Sequence, residues 1–302
     1  MKPRGVGTEA VPPWTLAIGA MVSVQLGAAL SVHLISTVGP GGTAWLRLSA
    51  GAVIFLVIAR PKLRSLRWND APILLGLGVT TGLQTIAFLA AIEHIPLGTS
   101  VAIEFLGPMT VATVHSHSRR ALLAVGAAAV GVVLVTQPWR GDISAVGVGY
   151  AVLAAVGWAV YIVLTQRLGD RYSGLSGLAL TVPVAACTAA LIGIPQAVGH
   201  LTFAVVATGI GLAILLPVVP YSFELLALRR MTPTAFGTLM ALEPAISVVL
   251  GRFVLHQKLS AVQLTGILLV VLAGAAAQRG GLRRPADIDD TGTQTSTGPV
   301  PF

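Results

Sequence analysis

Charge is scarce in this sequence. Only 10% of its residues are charged, 19 basic against 11 acidic, and the mean hydropathy is +0.85. A soluble domain carries about 25% charged residues, so a water-facing surface over most of the chain is excluded. Cysteine is almost absent: Cys187 stands alone inside an apolar stretch, which excludes an intramolecular disulfide. The alternating polar and apolar pattern of a transmembrane β-barrel is missing too, because the apolar stretches are continuous. No phosphate loop of the G-x-x-x-x-G-K-[ST] type is found, so the chain is not expected to drive a pump with ATP by itself. The opening "MKPRGVGTEAVPP" carries charge but lacks a small-residue cleavage site, so no cleavable signal peptide is expected.

What remains is a succession of apolar segments long enough for a bilayer. We place ten spans at residues 14–35, 44–60, 71–92, 97–115, 120–137, 145–166, 174–194, 202–224, 232–254 and 261–278. An even count puts both termini on one side. With the N-terminus in the cytoplasm, fifteen of the 19 basic residues fall inside, clustered around Arg4, Arg64, Arg119, Arg171, Arg230 and Arg284. Arg140, Arg252 and Lys258 fall outside, and Arg47 lies within a span. This positive-inside bias explains the basic pI better than nucleic-acid binding does. The location expected is a plasma (inner) membrane, crossed many times. The Thr-, Pro- and Gly-rich end, 281–302, is expected to be a disordered cytoplasmic tail, and 1–13 a short cytoplasmic lead.

The chain also repeats. Slid by 136 residues, "AIEHIPLGTSVAIEFLGP" from Ala91 lies over "ALRRMTPTAFGTLMALEP" from Ala227, with Pro108 on Pro244. Each stretch covers the third and fourth spans of a five-span half. An odd number of spans per half inverts one half against the other, a transporter signature that puts the site near the midplane between halves. The fold expected is therefore all-α and integral to the membrane: ten helices in two inverted five-helix repeats, 14–139 and 140–280.

Glu243 is the residue that such a site explains. It lies about ten residues past Pro233, or about 15 Å along a helix, half of a hydrocarbon core of about 30 Å. Glu104 sits at similar depth in the fourth span and aligns with Met240, three residues before Glu243. A charge at that depth costs about 2.5–3.5 kcal/mol on insertion scales, which argues for use, although a neutral structural carboxyl is the competing explanation. Pro108 and Pro244 are expected to break their helices, because proline cannot donate to the carbonyl four residues back, that of Glu104 and of Met240. A carboxylate beside freed carbonyls suits an ammonium group or a proton. Arg47 can bind a substrate carboxylate, pair with a buried acid, or snorkel to the interface. Glu224 can act in a gate or pair with Arg229. Gln25, Gln84, Trp158 and Tyr161 are candidate cavity residues, with plain packing the rival for the aromatics. His33 is expected at the interface. His115 and His117, in "HSHSRR", lack acidic or thiol partners, so no metal site is assigned.

The stretches "AWLRLSAG", "AIEHIPLGTSVAIEFLGP", "AAVGWAVYIVLTQR", "PYSFELLALRRMTPTAFGTLMALEPAISVVLG" and "LHQKLSAVQLTGILLVVLAG" carry a resemblance. The chain resembles drug/metabolite transporters of the EamA type and is similar to their RhtA-like threonine and homoserine exporters over about residues 40–278. The resemblance departs at Gln257, where an acid is common, so no role is carried to that position. It implies two inverted five-helix repeats around a central cavity, and efflux of small amphiphilic solutes across the inner membrane. The expected function is secondary active export of small amino acids by proton exchange and alternating access, with Glu104 and Glu243 as the binding acids. The alternatives are a drug or quaternary-amine exporter on the same scaffold and, from another class, a membrane enzyme or lipid-binding scaffold. No nucleophile–base pair supports an enzyme. The expected partners are a small-molecule substrate, protons and lipid, with no cofactor and room for a homodimer.

Overall fold

Continuous apolar sequence in a bilayer must satisfy its backbone internally, and helices are the simplest solution. The computed structural model describes residues 12–61, 70–116, 119–137, 139, 143–168, 175–228, 230 and 233–280, and among them there is no strand. The helices are α1 (Pro13–Ala59), α2 (Ala71–His94), α3 (Leu97–Glu104), α4 (Leu106–Ser116), α5 (Arg119–Thr136), α6 (Ala145–Leu168) and α7 (Leu175–Ala197). They are followed by α8 (Phe203–Ala213), a π-helical turn (Ile214–Val218), α9 (Val219–Leu228), α10 (Pro233–Met240), α11 (Glu243–Val254) and α12 (Ala261–Gly280). Among the described residues, six helical stretches are long and apolar enough to cross a membrane, and three shorter apolar helices accompany them.

Helix α1 corrects one expected boundary. Residues 36–43 were expected to be a loop between two spans, yet 47 residues run as one helical element with a kink at Gly39. Gly39 takes φ 72°, ψ 170°, a left-handed conformation that glycine adopts without strain, and Pro40 follows it. The Gln196 side chain secures the far side of the kink: its Oε1 accepts from the Gly41 N–H at 2.8 Å and the Gly42 N–H at 3.2 Å. At about 1.5 Å per residue, α1 would be about 70 Å long if straight, more than two crossings of a core of about 30 Å.

Three interruptions shape the interior. The chain breaks at Phe105, between α3 and α4, and at Ala241–Leu242, between α10 and α11. Pro108 lies in the first turn of α4 and Pro244 in the first turn of α11, where a missing N–H costs least. The third is the π turn, where Leu216 leaves helical geometry and Pro217 follows. The sequence reading treated 202–224 as one regular span and did not foresee it. Ser23 Oγ holds this turn by donating to the Leu215 carbonyl at 2.7 Å.

Buried side chains form two main clusters, one joining α1, α2, α3, α6 and α7, the other joining α3, α4, α5, α12 and Ala241 at the break between α10 and α11. Small residues let the helices approach closely. The tightest reciprocal case is α5 on α12: a Cβ at Gly131 would sit 2.7 Å from the Gly266 carbonyl oxygen, and one at Gly266 would sit 2.6 Å from that of Gly131. Gly131→Val is therefore expected to force the two helices apart at a cost of about 1–3 kcal/mol. Thermal unfolding in detergent should show a lowered midpoint; an unchanged midpoint would mean that the two helices do not meet at these glycines.

A central cavity between the helices

The cavity is built at the interruptions. It has a volume of about 290 Å³ and is walled by α1, α2, α6, the π turn and α9, with the ends of α3, α10 and α11 reaching it. Glu104 is the last residue of α3 and Glu243 the first of α11. Both therefore enter at helix ends. The single span expected over 232–254 is broken at 241–242, and Met240 and Glu243, on either side of the break, both line the cavity.

All eight candidate binding residues line this one space: Glu104, Glu243, Glu224 and Arg47 among the charged, Gln25 and Gln84 among the amides, and Trp158 and Tyr161 among the aromatics. The acids are close enough to feel one another, Glu243 lying within electrostatic range of Glu104 and Glu224. Arg47 is 4% exposed, which settles its alternatives against snorkelling to the interface. Its Nη1 donates to Ser31 Oγ at 3.3 Å, its Nε has no hydrogen-bond partner, and no carboxylate pairs with it among the described residues. Glu104 is 8% exposed, and its Oε1 accepts from Gln84 Nε2 at 3.2 Å. Gly157 makes that contact reachable, because its bare Cα lets α6 press on Gln84. Glu243 is 4% exposed and has no hydrogen-bond partner among the described residues. Gln25 is buried, with its Oε1 likewise unpartnered.

Aromatic rings frame these polar groups. Trp158 meets Phe105, at the α3–α4 break, edge-on at 6.3 Å. Tyr161 and Tyr221 both line the cavity, and Tyr221 packs edge-on against Phe55 at 6.1 Å. Glu224 points to the cavity rather than to the surface; Arg229, its suggested partner, lies outside the described residues, as do the side chains of His115 and His117. His33 is exposed on α1 and does not line the cavity. Pro108 and Pro244 do not line it either.

Sequence reasoning missed Tyr221, Thr81, Thr85 and Phe88, all of which line the cavity. A signal for each was available. Tyr221 is three residues before Glu224, hence on its face of α9. Thr81, Gln84, Thr85 and Phe88 recur at helical spacing on α2, so the face carrying Gln84 could have been extended in both directions.

The comparisons with known proteins agree with this architecture. Residues 145–276 match the model of the EamA-like transporter family. The chain is 34% identical over 272 residues to the threonine/homoserine exporter RhtA of Escherichia coli (strain K12), covering 86% of this chain and 89% of that protein. It is 32% identical over 280 residues to the exporter of the same name from Salmonella typhimurium (strain LT2), covering 88% and 92%. A crystal structure only 20% identical superposes with a TM-score of 0.57 over 88% of this chain and 98% of its own, a likeness of fold. With a buried, mixed-charge cavity at its centre and these relatives along most of its length, the chain belongs to the EamA-like transporter family, among its RhtA-like members, and is a multi-pass membrane transporter rather than an enzyme.

Proposed function

We propose that this transporter exports small amino acids such as threonine or homoserine across the inner membrane in exchange for protons. The observation that carries the reading is the cavity's opposed chemistry. A buried guanidinium with an unpartnered Nε shares about 290 Å³ with three carboxyl groups. A zwitterion needs both at once: a charge-assisted donor for its carboxylate and an anion for its ammonium. The volume is at the low end for a drug-sized ligand, for which pockets of about 300–1,000 Å³ are usual. The names of the relatives point the same way.

The reading includes ten spans in two inverted repeats, 14–139 and 140–280, with both termini in the cytoplasm. Two features support it. The helix breaks at Phe105 and Ala241 lie 136 positions apart, the same offset that aligns the sequence with itself. Contacts also come in symmetric pairs: α5 meets α12 through reciprocal glycines, while the first half of α1 meets the π turn much as α6 meets α2, with Gly27 against Leu216 and Gly157 against Gln84. Rocking one repeat against the other would expose the cavity to each side in turn.

The aromatic frame of Trp158, Tyr161 and Tyr221 favours a second reading, an exporter of quaternary amines or cationic drugs. Proteoliposomes preloaded with labelled threonine separate the two. An inward proton gradient is expected to accelerate threonine release, with homoserine competing and tetraethylammonium or an aromatic cation failing to compete. Strong competition by the bulky cations, with no threonine release, would overturn the amino-acid reading and favour the second.

A further inference from the structure

A second concavity, of about 440 Å³, lies away from the central cavity, where α11 ends and the chain turns into α12. Val248, Leu259 and Leu264 give it apolar walls, and Arg252, Lys258 and Gln257 supply its polar groups. The side chains of Arg252 and Lys258 make no hydrogen bond or ion pair among the described residues. The surface around it is made for lipid: Phe253 is 74% and Leu264 46% exposed. Basic side chains normally collect on the cytoplasmic side of a membrane protein. The charge count leaves three outside, and two of those three meet in this groove. A topology that tolerates so few outer cations has placed two of them together, unpaired, beside an apolar wall.

We propose that this groove binds the phosphodiester headgroup of an anionic glycerophospholipid of the outer leaflet. Arg252 and Lys258 neutralise the phosphate, a pairing that basic pockets between membrane helices make with anionic lipids, and an acyl chain lies along Val248 and Leu264. The outer-leaflet assignment rests on the span count proposed above; the binding itself does not. The groove also adjoins the transport machinery. Gln257 lines it, and its Oε1 accepts from the N–H of Leu97 at 3.1 Å, the first residue of α3. The same helix ends at Glu104 in the central cavity. A headgroup held beside Gln257 therefore bears on the seating of α3, and lipid composition is expected to alter transport through it.

The test places the full chain in phosphatidylcholine nanodiscs containing a minor fraction of dioleoyl phosphatidylglycerol. Lipids retained after detergent release are counted by native mass spectrometry. The intact protein is expected to retain phosphatidylglycerol in preference to phosphatidylcholine. The Arg252→Gln/Lys258→Gln double variant should lose that preference by about tenfold or more, while Arg167→Gln/Arg60→Gln, which removes two cations elsewhere, should keep it. A folding check is built in, since the double variant must keep the thermal midpoint of the parent; if it does not, Arg252→Lys/Lys258→Arg serves instead and should retain the lipid. Equal retention by parent and double variant would overturn the proposal. So would loss of the lipid in both double variants alike, which would indicate bulk charge. Inorganic phosphate at about 10 mM distinguishes the source: displacement of the lipid by phosphate alone would mean that the groove takes a soluble anion.

Discussion

Replacing Glu243 by Gln is expected to abolish proton-driven threonine efflux while leaving the protein folded. The substitution keeps the shape of the side chain and removes the charge and the exchangeable proton. Glu243 begins α11, where the helix dipole provides a favourable field for an anion, and no hydrogen bond among the described residues occupies its carboxyl. It is free to meet a cargo. Losing one partner of a buried charge pair costs about 2–5 kcal/mol, which is on the order of 30-fold to several-thousand-fold in affinity. Efflux from preloaded proteoliposomes, read at two external pH values, should be faster at the lower pH for the parent, since the proton enters as the amino acid leaves. In Glu243→Gln it should be slow and flat with pH. Glu104→Gln should give a smaller defect, because the Glu104 carboxyl already accepts from Gln84 and a glutamine there can still meet that amide. Normal, pH-sensitive efflux in both variants would remove the buried acids from the mechanism.

That the two acids could be found without coordinates follows from the cost of placing them. A carboxyl in an apolar run is conspicuous because the membrane penalises it, and the same reasoning found Arg47. The span limits were legible for a related reason: helices in lipid are bounded by their own hydropathy, so α2, α6 and α7 end within a few residues of the expected positions. Backbone irregularity was harder. Residues 36–43 contain three glycines and a proline and read as a loop, yet the chain needs only one left-handed residue, Gly39, and a glutamine from α7 to turn there. Nothing local in "ILLPV" marks a π turn, since its geometry depends on Ser23 and Gly27 of a helix almost two hundred residues away. The prolines at 108 and 244 announced breaks, but the breaks fall ahead of them, at 105 and 241–242, because each proline is accommodated in the first turn of the next helix. Uncharged cavity residues such as Thr81, Thr85 and Tyr221 were hidden because hydroxyls are cheap in a membrane helix. Thr81 Oγ1 bonds its own backbone, donating to the Leu77 carbonyl at 2.8 Å, so its presence carries no penalty to notice.

Arg47→Met is expected to separate threonine from its decarboxylated analogue, 1-amino-2-propanol. Arg47 is buried yet makes a single side-chain hydrogen bond, at 3.3 Å to Ser31, and no carboxylate among the described residues neutralises its guanidinium. A buried cation left in this condition is costly, so a cargo that brings its own carboxylate would relieve the site as it binds. Methionine fills similar volume with an apolar chain and removes both the cost and the reason for the cargo's carboxylate. Threonine competition should then weaken by about 100-fold or more, in line with the loss of a buried charge partner, while the amine, which never used Arg47, should compete as well as before or better. Arg47→Lys supplies the intermediate case: it retains the charge but not the planar fork that grips a carboxylate bidentately, so part of the preference should survive. The ratio between the two ligands is the informative quantity, because a packing defect would lower both together. An equal loss for threonine and the amine would reduce Arg47 to a strut between the two limbs of α1, and the zwitterion reading of the cavity would lose its cationic half.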